Sequence, residues 1–435
     1  MKIEYPNYND KADEKSFVNH LQNIFNLQPQ SKFVVYDGDI DISQGEINYI
    51  YGMSGSGKTS IFNELKSQYG KDCVDIGSIR PSKKPLVDDL GKDMEKNLKL
   101  LSRVGLCEVA NYINPYSSLS AGQQFRYKLL KALISKKKYI LCDEFCSTLD
   151  KTTSKIVCYN LAKIFKDFGK TLILFGVHTH FVNELQPVFF KKHFGSKLEK
   201  ITQVVPENPE KFELYDKLEF GVGDIKDYNQ LKIFHYVNHN LTFQRAIYKL
   251  SYEGLTIGVI CFCFPSLMLK GRNECSPKYK TAGGKVVNKE VVNISRIIIH
   301  PTFRGIGLST ILLKKGIELF YKEHPDTRLI ELISTMSHFN PFAGKIMNKC
   351  MTPYTNKEIE RIKRYGFDES MTKAEIEKVV EEGKDDPKFQ KFMKSIMKED
   401  VWVYGKASKK KRTPYQEIKR QLKRSYLEYY YIKVK

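Results

Sequence analysis

The chain has 435 residues, 41% of them hydrophobic, and a net charge of +21. That length suits two or three domains with sizeable cores, and no apolar run approaches the ~18 residues of a membrane span. The longest, LTIGVICFCFPSLML, is broken by Pro265 and reads as core strand, so no membrane association is expected. The opening MKIEYPNYNDKADEK lacks the apolar centre of a secretory signal. Nine scattered cysteines contain no CxxC pair, which argues against a disulfide framework or a zinc quartet and for a reducing, cytoplasmic setting.

In chain order, EINYIY has the alternation of a strand and SIFNELKSQY the spacing of a helix. Between them GMSGSGKT, residues 52–59, fits G-x-x-x-x-G-K-[ST] in the strand–loop–helix setting that motif requires. Gly52, Gly55 and Gly57 let the backbone curl, so that the amides of Met53, Ser54, Ser56 and Ser60 converge with theirs on phosphate oxygens. Lys58 is placed for the β- and γ-phosphates and Thr59 for a magnesium ion. Further on, LSAGQ opens an amphipathic helix whose Ser120, Gly122 and Gln123 form a second anion-facing helix mouth, or, more simply, an N-cap. KKYILCDEF reads as a buried strand ending in Asp143, placed to hold magnesium, and Glu144, placed to take a proton from attacking water, against the simpler reading of an exposed acidic pair after any strand. TLILFGVH reads as the last strand of this region.

Together GMSGSGKT, LSAGQ, YILCDE and STLD (residues 147–150) resemble, in order, the Walker A, signature, Walker B and D-loop elements of the ABC-type ATPases. The resemblance covers about residues 30–190. It implies a P-loop fold, ATP and Mg2+ as cofactors, and an ATP-dependent homodimer in which LSAGQ caps a nucleotide held by the second subunit. It further implies a switch histidine at His178, with His180 as the rival. Two features depart from the family. No glutamine occurs between Gln68 and Gln123, so the Q-loop residue is missing, and only 67 residues separate Gly52 from Leu119. Both argue against a transporter motor.

PENPEKFELYDK reads as a linker or domain start. AIYKLSYEGLTIGVICFCF then reads as two strands turning at Glu253-Gly254, followed by a third strand, VVNISRIIIHP. RGIGLS, which opens the next helix, is a second phosphate cradle. There the amides of Gly305, Ile306, Gly307, Leu308 and Ser309 and the charge of Arg304 would hold a pyrophosphate, against the simpler reading of a tight turn. TRLIELIST is a further strand and HFNPFAGKIM a closing helix.

This order resembles the GNAT acyltransferases, whose loop binds coenzyme A. KIFHYVNH, KGRN, SRIIIHPTFRGIG and NPFAGKIM are similar to the Mom-like branch, in which relatives join an ABC-type ATPase to a GNAT domain and which includes modification of adenine in phage DNA. The resemblance implies an acetyl-CoA or other acyl-CoA donor, a nucleic-acid base as acceptor, and a host cytoplasm if the chain is phage-encoded. The residues themselves offer His235 as a general base, Arg296 as an orienting cation and Glu331 as a proton acceptor. Each has a plain structural alternative: a half-buried histidine, a surface ion pair, a solvent-facing carboxylate.

Beyond residue 352 no motif is assigned. MTKAEIEKVVEEGKDDPKFQKFMKSIM reads as helix interrupted at Pro387. From Val401 to Lys435 there are 11 Lys/Arg against 2 Asp/Glu, including Lys409, Lys410, Lys411 and Arg412, with tyrosines interleaved. This composition suits DNA or RNA, or equally a basic helix packed through its tyrosines. The expected architecture is α/β: a P-loop ATPase domain (1–200), an α+β GNAT-like domain (205–352) and a basic, mainly helical extension (353–435).

Overall fold

The structure, a computed structural model, describes residues 2–6, 17–26, 32–195, 197–201, 212–236, 241, 243–350, 357–397, 402–403, 406–407, 413–423 and 426–433. The first two strands, β1 (Lys2–Pro6) and β2 (Lys32–Asp37), form an antiparallel pair. Six strands follow: β3 (Ile47–Gly52), β4 (Cys73–Asp75), β5 (Tyr139–Cys142), β6 (Thr171–Gly176), β7 (Val188–Lys192) and β8 (Leu198–Ile201). They lie in the order β4-β5-β6-β3-β7-β8, parallel except for β8. A parallel sheet is covered on both faces, and its strands therefore read as unbroken apolar runs; all six residues of β6 are buried. One face packs Ile50, Leu141, Ile173 and Phe175 on Ile61, Phe62 and Leu65 of the Lys58–Tyr69 helix. The other packs Tyr49, Leu172 and Leu174 on Leu129, Leu130 and Leu133 of the Ala121–Leu133 helix. TLILFGVH is a strand as expected, but it is central and not last, because β7 and β8 extend the sheet past β3.

A second sheet contains β9 (Leu218–Val222), β10 (Gln244–Tyr252), β11 (Leu255–Cys263), β12 (Val291–Ile299), β13 (Leu329–Ser334) and β14 (Asn348–Cys350). Its seventh strand comes from the chain's far end. After a two-residue ladder of β15 (Trp402–Val403) with β16 (Lys406–Ala407), β17 (Glu428–Lys433) inserts between β13 and β14. The full order is β14-β17-β13-β12-β11-β10-β9. The β10–β11 hairpin turns at Glu253 (φ 50°) and Gly254 (φ 80°), the left-handed pair that matches strand twist. The β12–β13 pair is parallel, and the Leu308–Glu323 helix makes the crossover, burying Leu312, Leu313 and Phe320 against Ile260 and Phe262. Pairing with β13 stops at Ile294; past a bulge beside Cys261 and Phe262, β12 continues with β11 alone.

Residues 353–435 are thus not a separate extension. Helices Lys357–Arg364, Lys373–Glu382, Pro387–Met397 and Pro414–Lys423 share a small core of Ile362, Phe367, Ile376, Phe389, Phe392, Ile418 and Leu422. The chain then returns to complete the second sheet. Tyr429 and Tyr430 are buried there, so these two rings are core and not stacking faces for bases. Lys409, Lys410, Lys411 and Arg412 lie outside the described residues. Two further expectations change. HFNPFAGKIM forms only a short helix, Met336–Phe339, and a turn, Ala343–Lys345, because Pro341 holds Asn340 in an extended conformation. Cys275 and Cys350 form a disulfide across 75 residues, although no cysteine pair was expected. No helix among the described residues is long and apolar enough to cross a membrane.

Candidate functional site

At the end of β3 the backbone closes into a cradle that needs its glycines. Gly55 and Gly57 have φ of 75° and 90°, and a Cβ on Gly57 would sit 2.2 Å from Val35 Cγ1. A Cβ on Gly52 would meet Ser56 Oγ at 2.6 Å and the Lys192 carbonyl at 2.9 Å. Within the loop the Ser56 amide bonds the Met53 carbonyl. The amides of residues 57–60 have no partner among the described residues, as the first turn of a helix dictates, and Gly57 offers no side chain to cap them. They are the donors an anion would meet.

Lys58 Nζ lies across this mouth, donating to the carbonyls of Gly52 and Met53, both at 2.8 Å. Its burial lowers the ammonium pKa, while Asp143 and Glu144 oppose that effect. Thr59 Oγ1 donates to Asp143 Oδ2 at 2.9 Å, so the two residues assigned to magnesium meet although 84 positions apart. Among the described residues no group of three His, Cys, Asp or Glu forms a metal site by itself. An oxygen-only pair beside an anion cradle fits magnesium, which keeps most of its ligands as water and phosphate. Glu144 is exposed and its backbone is left-handed, at φ 51°. The cost is met in part by its amide, which donates to Asp143 Oδ1 at 2.9 Å, and by the Phe145 amide on the Phe175 carbonyl of β6.

At LSAGQ, Ser120 caps the helix through the Gln123 amide, and Gln123 bonds the Ser120 amide in return, a full capping box. The capping alternative therefore holds. The cap also forms one wall of a cavity of about 280 Å³, with Gly122, Arg126, Thr148, Asp150, and, from the turn after β12, Pro301 and Thr302. The two candidate switch histidines differ. The His178 carbonyl accepts from Tyr49 Oη at 2.6 Å and its ring is half-buried. His180 Nε2 is sealed without a partner among the described residues, and burial and then His178 lower its pKa.

The second cradle has the same backbone plan. Gly305 and Gly307 have φ of 89° and 83°, Gly307 precedes the helix without a side-chain cap, and the amides of residues 307–309 have no partner among the described residues. Its mouth nevertheless differs from expectation. Arg304 is turned away: Nε bonds the Ile299 carbonyl at 2.8 Å, Nη2 bonds the Phe234 carbonyl at 3.3 Å, and Nη1 pairs with Glu108 of the first domain at 3.4 Å. The unpartnered amides of residues 307–309, and not the Arg304 charge, are the donors at this mouth among the described residues. Gly305 is pressed against the first domain, where an added Cβ would lie 2.5 Å from Asn160 Nδ2. With both a left-handed φ and this contact, Gly305→Ala is expected to cost about 1–3 kcal/mol, read as a lower midpoint in chemical denaturation.

Of the three other candidates, two are brought near one another. His235 stacks on Tyr236 at 4.7 Å, and Arg296 lowers the pKa of the Tyr236 hydroxyl against the dominant effect of burial, which raises it. Arg296 bonds Ser295 and leaves a buried Nε without a partner among the described residues, just where β12 parts from β13. It is not a surface ion pair. Glu331 stands apart. It neither faces solvent nor meets the other two among the described residues. It is 1% exposed, accepts from Tyr429 Oη at 2.9 Å, and lies 3.5 Å from Nε of the fully buried Arg272. Burial raises its carboxyl to about 7, against the opposing Arg272 and Tyr429. Sequence reasoning missed Arg126, Asn160 and Glu108. All three act by touching the turn after β12, which lies well over a hundred residues away, and no local pattern marks such a contact.

No protein-family model matches the chain. Among curated proteins it is similar to the methionine import ATP-binding protein MetN 1 of Oceanobacillus iheyensis, at 28% identity over 34% of this chain and 54% of that protein. The phosphonates import ATP-binding protein PhnC 2 of the same organism is 32% identical over 30% and 48%. The probable peptide export ATP-binding protein YydI of Bacillus subtilis is 26% identical over 30% and 68%. The chain spans about half the length of the first two. Among solved structures, the ATP-binding cassette MJ0796 bound to ADP and Pi aligns at 18% identity and a TM-score of 0.33, covering 41% of this chain and 95% of that one. Over about a third of its length, in the N-terminal part, the chain is an ABC-type ATPase domain of the P-loop class.

Proposed function

We propose that the first domain binds and hydrolyses ATP with magnesium, and that two copies close around two nucleotides. The observation that carries this is the cradle after β3: unpartnered amides at residues 57–60, Lys58 across the mouth, and Thr59 joined to Asp143 beside an exposed Glu144. The backbone amides and Lys58 bind and orient the phosphates and neutralise charge that develops on them. Bound magnesium supplies further charge neutralisation. Glu144 accepts a proton from water placed at its carboxylate. The cavity beside Ser120 and Gly122 receives the phosphate end of the nucleotide held by the second copy. Catalysis is measured as phosphate release, and closure as an ATP-dependent doubling of mass in Glu144→Gln.

The second domain we read as a CoA-dependent N-acyltransferase-like unit. The parallel β12–helix–β13 crossover and the second amide-lined mouth support that reading. Its acceptor is an amine, with a nucleic-acid base as the leading class. His235 and Arg296 flank the place where β12 and β13 separate, and act there as proton acceptor and orienting cation. Arg304 turned inward favours a second reading, a GNAT-like binding module without catalysis. Calorimetry with acetyl-CoA separates the two: micromolar binding supports the donor site, and no heat with a well-folded protein supports the module. ATP turnover with and without DNA or RNA tests the acceptor class; equal rates and no low-salt binding would remove nucleic acid. A transporter role, as the names of the curated relatives describe for those proteins, is disfavoured by the missing Q-loop glutamine and the short helical insert.

A further inference from the structure

We propose that the turn joining β12 to the Leu308–Glu323 helix is a working part of the ATPase, and that ATP-driven closure of two copies is transmitted through it to the second cradle. The inference rests on the ATP-site reading above and adds a route between the two sites.

Three separate parts of the first domain converge on this one turn. Arg126, in the second turn of the helix that LSAGQ opens, is 3% exposed and donates to the Thr302 carbonyl at 3.0 Å and the Pro301 carbonyl at 3.5 Å. Asn160, on the helix that follows the D-loop, donates to the Arg304 carbonyl at 3.2 Å. Glu108, on the helical insert, pairs with the Arg304 guanidinium. Nearby, a Cβ on Gly105 would lie 3.1 Å from the Arg304 carbonyl and 3.2 Å from Arg126 Nη1, so the backbones are as close as glycine permits.

Two consequences follow from these contacts. The cavity at LSAGQ is walled on one side by the D-loop and on another by Pro301 and Thr302, so a phosphate delivered by a second copy meets the second domain directly. The same turn runs without interruption into Gly305 and Gly307, whose amides form the second mouth. Carbonyls bonded to a buried guanidinium cannot follow a different path from the helix that carries it without leaving Arg126 unpaired, which is expensive in a site of low dielectric. A shift of the signature helix on closure is therefore passed to residues 301–309. Coupling of this kind is reciprocal: a ligand at the second mouth biases closure by the same factor that closure biases the ligand.

The test is hydrogen exchange on the full-length Glu144→Gln protein with magnesium and either ATP or ADP. ATP is expected to slow exchange of amides 52–60 and, by about fivefold or more, of amides 302–310; ADP is expected to slow the first segment alone. Asn160→Ala removes the donor to the Arg304 carbonyl from a side chain outside the LSAGQ cavity. It is expected to retain the response at 52–60 and the ATP-dependent mass, and to lose the response at 302–310. Should Asn160→Ala melt early, Glu108→Gln removes the charge that pairs with the Arg304 guanidinium and makes the same cut from the helical insert. If ATP protects 52–60 and doubles the mass while 302–310 stay unchanged, or if both variants keep the full response, the transmission is refuted and the ATP site stands. If neither segment responds to ATP, the ATP-site reading falls and the transmission falls with it.

Discussion

Replacing Lys58 with alanine is expected to abolish ATP turnover and to weaken nucleotide binding strongly. Glu144→Gln should leave binding intact and lower turnover about 100- to 10,000-fold, the range for loss of a positioned base. Lys58 Nζ rests on two carbonyls at 2.8 Å, bonds it would exchange for phosphate oxygens. Alanine removes the only cation among the residues of GMSGSGKT and leaves those carbonyls and the incoming charge uncompensated. Glu144 contributes differently. Its side chain is exposed, its backbone is held at φ 51°, and its amide is tied to Asp143. Glutamine keeps shape and backbone but cannot accept the proton. Phosphate release and nucleotide affinity, measured on both variants, separate the two roles. Turnover by Glu144→Gln at the parent rate would remove it from the chemistry.

The second large effect concerns stability. Arg272, Glu331 and Tyr429 form a buried group joining the residues after β11 to β13 and β17. Arg272→Ala leaves a carboxylate buried without its cation and is expected to cost about 3–5 kcal/mol. The pH dependence has a definite sign. The carboxyl of Glu331, ordinarily near 4.5, is raised to about 7 in the folded chain, so the folded state holds this proton more tightly than the unfolded state. Its contribution is fully present below about 4.5 and is lost as pH rises through about 7, a change of about 3 kcal/mol at 1.36 kcal/mol per unit. Denaturant titrations across that window should show the fall in the parent protein and not in Glu331→Gln. An identical slope in both would place the proton elsewhere.

Local pattern carried far in the first domain because its chemistry is made by contiguous residues. GMSGSGKT specifies its own curl: positions 55 and 57 need left-handed φ, position 57 has no room for a side chain, and the helix must start where its first amides lie bare. The Asp143–Glu144 pair is likewise set by where a buried strand ends. The second cradle was legible in the same way, down to Gly305 and Gly307. Arg304 was not, because a guanidinium chooses among partners that only folding supplies, and here Glu108 and two carbonyls outcompete solvent. Glu331 shows the same limit. Alternation with apolar neighbours in LIELI marks a strand face as polar, but the Tyr429 side chain and Arg272 meet Glu331 there, and both come from segments distant in sequence.

The sequence by itself determined the backbone shapes of the two glycine-opened helix mouths, the positions of Lys58, Thr59 and the Asp143–Glu144 pair at the ends of their elements, and most strands and helices, since each depends on neighbours within a few positions. Tertiary structure alone decided that the last strand closes the second sheet, that Glu331 is interior, and that the signature helix and the second cradle share one turn. Those outcomes depend on long-range pairing of backbone groups and on burial of charge, whose energies belong to contacts between distant segments and leave no periodic trace in either one.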